Sequence, residues 1–403
     1  MKNPQVFQCV LKKLAIKKQI ILEVNRRNLV KILSLGTVFT RQSANALSSI
    51  LEAVPSNQST TNTPLSDLQK NNIDTLYKKA IVIDGLIIPK GWNNESFEAL
   101  DKSGYTGFNT SLSSTNLKIA LKSLEEWQKR VNDNPNKLIY ATSADDFIRA
   151  KKENKTAVLF GFQNATMIEK SIDNINLLYD AGTRWIQLTY NQRNLLGDGC
   201  TERTNAGLSD FGIEAVNRMN ELGIIVDLSH CGRQTTNDGI KFSKYGATFN
   251  HSMCEALYKN HPRSKTDKQI KAMANKGGIM GIICLGYMIG PDPGGKTTLE
   301  TYVNHIDHAV KMAGIDHVAL AADFAIQGLE ASGATRENWF VPRLTMFKPS
   351  YQVRWPPWIP ELDKPNRYLS VAKVLDKRGY TTGDIEKILG LNWLRYFRET
   401  LKP

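Results

Sequence analysis

The chain has 403 residues, 41% of them apolar and 23% charged, with a formal charge of +13. That length suits a large α/β barrel with appended segments, and the apolar share is that of an ordinary globular protein. Residues 1–46 hold nine Lys/Arg and one acid, so +8 of the charge sits there and +5 remains for the rest. No basic-aromatic motif follows, which argues against nucleic acid as a partner.

Asn25-Arg26-Arg27-Asn28-Leu29-Val30-Lys31, the apolar Ile32–Phe39 and the small-residue run Ser43-Ala44-Asn45-Ala46 read as a twin-arginine-like export signal. Residues 1–46 are therefore expected to be a signal segment and the protein periplasmic; with the signal unused it would be cytoplasmic. A basic amphipathic helix over Val6–Val24 is the competing reading. The apolar run falls far short of the ~20 residues a bilayer span needs, so no transmembrane helix is expected. Residues 47–78 read as a linker and entry segment, with Ser48–Thr63 polar enough to be disordered.

The folded body is expected over 79–403. Strand candidates are Lys79–Asp84, Gly104–Leu112, Thr156–Gln163, Arg184–Tyr190, Ile224–Leu228, Ala247–Phe249, Gly278–Leu285 and His317–Asp323, most of them apolar or β-branched runs. Helical spacing occupies Asn116–Val131 (Leu117, Leu121, Leu124 and Trp127 on one face), Ile172–Ala181, Leu208–Leu222 closed by Gly223, Asp267–Asn275 and Thr298–Ala313. Eight strands separated by helices predict an α/β fold, a (β/α)8 TIM barrel. Trp339–Arg367 breaks the rhythm with six prolines and three tryptophans. It is expected to be an extended excursion that walls the mouth, meets a second subunit or packs on the flank. Tyr368–Lys377 and Thr382–Thr400 read as terminal helices.

Chemistry in such a barrel sits at the C-terminal strand ends. Those ends carry Leu86 and Ile88, Gln163, Tyr190, His230, His251 and Asp323, with Arg263 on the loop after the sixth strand. Neutral imidazoles leaving adjacent strands can converge on a transition metal, zinc first. The other reading makes each a hydrogen-bonded core histidine. His305, His308 and His317 lie away from these ends and read as structural.

Gly207–Gly212 (G-L-S-D-F-G), Met219–Gly223 (M-N-E-L-G), Val226–His230 (V-D-L-S-H), Asn250–Ser252 (N-H-S), His261–Arg263 (H-P-R) and Ala322–Phe324 (A-D-F) resemble the membrane (renal) dipeptidase family, M19-like zinc peptidases. The resemblance runs from about Ala80 to Phe397. It implies an amidohydrolase-type barrel that cleaves dipeptides with two zinc ions and a bridging hydroxide. It assigns His230 and His251 to the second zinc and Arg263 to the substrate's terminal carboxylate, a bidentate task suited to guanidinium. Asp323 would move the proton between metal-bound water and leaving amine.

Three places depart from the family pattern. Its first strand ends D-G-H-x-D, but Asp84–Ile88 reads D-G-L-I-I, and the hydrocarbon of Leu86 and Ile88 cannot coordinate zinc. The bridging glutamate is Gln163, at most a weak amide ligand. The histidine that assists at the substrate carbonyl is Tyr190, either a phenolic donor or an aromatic wall. One weakly held zinc or none is expected, unless Asp323 supplies the charge at the expense of its proton shuttle.

Cys9 would leave with the signal. Cys200, Cys231, Cys254 and Cys284 admit a disulfide in an oxidising compartment, a thiolate ligand beside His230, or small buried thiols. Three functions stay open. The first is a metal-poor amide hydrolase or lyase acting on a small peptide-like substrate. The second is a binding or maturation protein without turnover, for instance for a secreted peptide product, as the looser resemblance to exported relatives implies. The third is a two-zinc dipeptidase with unusual ligands. A homodimer is compatible with all three.

Overall fold

Eight parallel strands follow one another around a ring once a single extra strand is set aside. In the computed structural model, which describes residues 65–89, 91–290 and 296–402, the ring runs β1 (Ile83–Ile87), β2 (Gly107–Thr110), β4 (Thr156–Phe162), β5 (Thr183–Gln187), β6 (Ile225–Asp227), β7 (Thr248–Ser252), β8 (Ile279–Ile283) and β9 (Val318–Ala321). The ends meet: Asp323 N donates to Leu86 O at 2.9 Å and Ile88 N to Phe324 O at 3.2 Å. The expected (β/α)8 barrel is the fold. The expected signal segment, Ser48–Thr63 and Cys9 lie outside the described residues.

The extra strand, β3 (Leu138–Ala141), pairs with Thr156–Leu159 of β4, whereas Phe160–Phe162 of the same strand pair with β5. Four residues without alternation carry too little periodicity to be read as a strand. β1 also begins later than expected, because Leu65–Lys79 is a helix that buries Ile73 and Tyr77. That helix takes the last part of the expected 47–78 linker.

The seam between first and last strands is held by a buried charge pair. Asp84 accepts from Leu86 N at 3.0 Å, from Ala322 N across the seam at 2.9 Å, and from the Tyr105 hydroxyl at 2.8 Å. Arg367, on the helix Arg367–Lys377, donates to that hydroxyl at 2.8 Å and lies 3.9 Å from the carboxylate; both charged side chains are 0% exposed. Its other donors hold Ile326 O and Leu362 O.

The floor of the barrel is closed by the C-terminal helix Asn392–Thr400. Trp393 and Phe397 pack with Trp185 and with Ile83, Ile225, Ile279 and Ala319 at or near the strand starts. The expected single helix Thr382–Thr400 is interrupted by a π-helical stretch, Lys387–Leu391. There Gly390 lies against the Ile81 carbonyl with no room for a Cβ.

Trp339–Arg367 is less extended than its prolines imply. Val341–Met346 is helical with Pro342 in its first turn, where a missing N–H costs nothing, and Pro349 opens a 3-10 turn. The segment walls the mouth, burying Tyr351 and Trp339.

Candidate active site

The strand ends converge on one cavity of about 650 Å³, lined among others by Ile88, Gln163, Tyr190, His230, Arg263 and Asp323. His251 stands behind His230, their Nε2 atoms 2.9 Å apart. Leu86 does not line the cavity; its side chain is buried, and its carbonyl fixes Asp323 N.

The imidazoles are held from behind. Asn191 Oδ1 lies 2.7 Å from His230 Nδ1, and Asn250 Oδ1 contacts His251 Nδ1. Tyr190 stacks on His230 with centroids 4.2 Å apart and planes at 22°. Burial, followed by the nearby Arg263 guanidinium, holds both imidazoles well below the usual histidine range, so both are neutral.

Arg263, 1% exposed, turns its donors inward: Nε to Ser229 O at 2.9 Å, Nη2 to His251 O at 2.6 Å and Nη1 to His230 Nε2 at 2.7 Å. A second buried cation, Lys265, donates to Leu228 O at 2.7 Å and Thr236 Oγ1 at 3.2 Å, and burial lowers its ammonium to about 8. Among the described residues neither cation has an ion-pair partner.

Asp323 faces them across the mouth. Its φ of 63° is left-handed, a conformation aspartate tolerates better than most residues. Gln163 Nε2 donates to Oδ1 at 2.9 Å. Burial raises the carboxyl to about 6, against the pull of Arg263, the Gln163 bond and Arg343. Burial, then the Asp323 charge, pushes the Tyr190 phenol up to about 12, so it remains a donor.

Four participants escaped sequence reasoning: Asn191, Lys265, Arg343 and Tyr351. The Tyr351 hydroxyl donates to Asn191 Oδ1 at 2.6 Å and sits 3.5 Å from Arg263 Nη1. Arg343 lies over the Trp339 ring at 3.8 Å and spends Nη1 on Trp339 O at 2.8 Å. Its Nε and Nη2 have no partner among the described residues. Only the adjacency of Asn191 to Tyr190 and of Lys265 to Arg263 could have signalled two of these; the excursion's residues carry no local sign.

The four described cysteines are free thiols. Cys231 accepts from Thr189 Oγ1 at 3.3 Å, and burial raises it to about 11, so it is no thiolate beside His230. His305, His308 and His317 are bonded away from the cavity, to Ile289 O, Asp267 and Gly278 O.

A closed parallel barrel with polar groups gathered at its C-terminal strand ends is an amidohydrolase-type TIM barrel. The chain belongs to the membrane dipeptidase family, peptidase family M19, whose model matches residues 48–340. This is a family of metallopeptidases, generally zinc-dependent. An uncharacterized dipeptidase of Schizosaccharomyces pombe is 27% identical over 301 residues, 73% of this chain and 65% of its own length. Dipeptidase tcpJ of Claviceps purpurea is 26% identical over 298 residues, 73% and 63% of the two chains. The chain thus spans 65% or less of these relatives' lengths. An amidohydrolase from Pseudomonas aeruginosa superposes with a TM-score of 0.72 at 30% identity, over 82% of this chain and 99% of that one. The probable dipeptidase PvdM from the same organism shares the fold at 17% identity, with a TM-score of 0.67 over 83% and 98%.

The residues present do not fit the family's two zinc ions. Leu86 and Ile88 offer only hydrocarbon, and Gln163 turns its amide N–H towards Asp323. His230 Nε2 already takes an N–H from Arg263. Among the described residues no three His, Cys, Asp or Glu side chains gather as a metal-holding group. A divalent ion at the histidines would meet two buried cations, with Asp323, bonded to Gln163, as the cavity's carboxylate.

Proposed function

We propose that this family member holds a small peptide or peptide-like amide with a free carboxylate in the barrel mouth and moves a proton on it through Asp323, without a two-zinc hydroxide. The observation that supports this most is the Asp323 carboxyl, raised to about 6 and bonded to an amide at the cavity wall. A carboxyl with that affinity exchanges protons near neutrality, as a general base or acid must. Oδ1 is engaged by Gln163, which leaves Oδ2 for the substrate. Tyr190, whose hydroxyl has no hydrogen-bond partner among the described residues, would donate to a substrate oxygen. The carboxylate role expected of Arg263 passes to Arg343 in this reading, since the donors of Arg263 are taken up inside the wall while Nε and Nη2 of Arg343 remain.

One carboxyl without a second acid or a nucleophile suits proton abstraction, isomerisation or elimination better than amide hydrolysis. The same shortage favours a second reading, a binding or maturation protein that holds a peptide-like ligand without turnover. Turnover of a panel of dipeptides and peptide-like amides, with and without a metal chelator, separates the readings. The proposal expects chelator-resistant activity that Asp323→Asn abolishes. Activity dependent on two zinc ions per chain would refute it, and ligand binding without turnover would leave the second reading.

Export through Arg26-Arg27 and homodimerisation rest on the sequence and are proposed with it. Fractionation of cells carrying the Arg26→Lys/Arg27→Lys chain tests the first, and light scattering of the purified protein the second. No described helix is long and apolar enough to cross a membrane.

A further inference from the structure

The cavity has two unlike arcs. From β4 through β6 its lining is polar, with Gln163, Tyr190 and His230 at the strand ends. From β8 through β9 to β1, Asp323 and Tyr287 apart, it is hydrocarbon. Leu285 and Met288 follow β8, Phe324 and Leu329 follow β9, and Ile88 follows β1. This second arc is continuous, because Ile88 N donates to Phe324 O at 3.2 Å across the seam. Trp339 of the excursion closes it, with its ring 6.0 Å from that of Tyr287.

The hydrocarbon arc is also held in place. Arg367 donates to Ile326 O at 2.8 Å and lays its guanidinium over the Phe324 ring at 4.8 Å. Asp363 accepts from Leu329 N and from Glu330 N. On the β8 side Gly286 N donates to Pro357 O at 2.7 Å. A fixed apolar wall cannot collapse to fill the cavity, and leaving it against open space is unfavourable. Hydrocarbon on a ligand covers it, while the polar arc fixes the ligand's orientation.

We propose that the ligand of this mouth carries a bulky, uncharged apolar side chain, aliphatic or aromatic, seated against Ile88, Leu285, Met288, Phe324 and Leu329 beside Asp323. The inference deepens the reading above and rests on its peptide-like ligand, but binding alone tests it, without turnover.

The experiment is calorimetric titration of the full-length protein with two dipeptide series, L-Xaa-D-Ala and L-Ala-D-Xaa, where Xaa is Ala, Asn, Leu or Phe. In one series Leu or Phe should bind at least about 10-fold more tightly than Ala. Asn, close to Leu in size, should gain nothing over Ala. Ile88→Ala should cut the Leu-over-Ala ratio about 3-fold or more, and Leu329→Ala serves if that variant does not fold. If neither folds, the wild-type series decide alone. No gain for Leu or Phe in either series, an equal gain for Asn, or an unchanged ratio in a folded variant overturns the proposal. Flat series with chelator-resistant turnover that Asp323→Asn abolishes would end this inference and leave the Asp323 reading standing. The apolar gain together with two-zinc turnover would do the reverse.

Discussion

The side-chain amide of Gln163 donates to Asp323 Oδ1 at 2.9 Å, tying the end of β4 to the end of β9 across the mouth. An amide donor favours the ionised carboxyl, burial opposes it more strongly, and the group settles at about 6. Gln163→Glu would put two carboxyls at that separation, where they cannot both ionise freely. The variant is expected to move the acidic limb of the pH–rate profile up by about one unit or more. A limb that stays in place would separate Asp323 from turnover.

The same carboxyl makes stability depend on pH. Its affinity for a proton is higher in the folded chain than the ordinary 3.8, so stability falls as pH rises from about 4 to about 6 and stays reduced above. Asp323→Asn, which tolerates the left-handed backbone, should be more stable than the wild type at about pH 8 by about 1–2 kcal/mol, discounted for the side chain's partial opening to the cavity. Near pH 4 the advantage should vanish. Denaturant unfolding at the two pH values reads both outcomes, and equal stability at both would contradict the raised affinity.

Arg343→Met should weaken binding of a dipeptide about 10–100-fold while leaving its C-terminal amide little changed, because only the free carboxylate uses the guanidinium. Calorimetric titration of wild type and variant with L-Ala-D-Ala and its C-terminal amide makes the comparison. Parallel losses for the two ligands would mean that Arg343 shapes the wall without recognising charge.

Tyr351 offers a graded test of the wall. Tyr351→Phe loses the bond to Asn191 but keeps the ring against Phe347 and His261, whose centroids lie 4.6 and 5.2 Å away. A loss of about 1 kcal/mol is expected. Tyr351→Ala empties a fully buried position and should lose about 3–5 kcal/mol. Similar losses for both would place the stabilisation in the hydroxyl.

Much of the barrel is readable from residue order because the strands are buried runs, several of them apolar and followed by polar residues at the C-terminal end. β3 escaped because it carries four residues and leans on only half of β4. The positions of His230, His251 and Asp323 follow from the strand ends. The commitments of Arg263 do not, since two of its partners are backbone carbonyls, which any residue could present. Tyr351 was equally hidden: it meets Asn191 and His230 only after a proline-rich loop has folded back over the mouth. Sequence reasoning brought these side chains to one mouth and missed their wiring.

Asp84 and Arg367 lie near opposite ends of the folded body, yet the ring is pinned where they meet. A ribosome must therefore release nearly all of the chain before the pair can form. Until then Asp84 is a carboxylate at the seam, held by Leu86 N, Ala322 N and the Tyr105 hydroxyl but without its countercharge. Truncation before Arg367 would leave that buried charge uncompensated in the barrel wall.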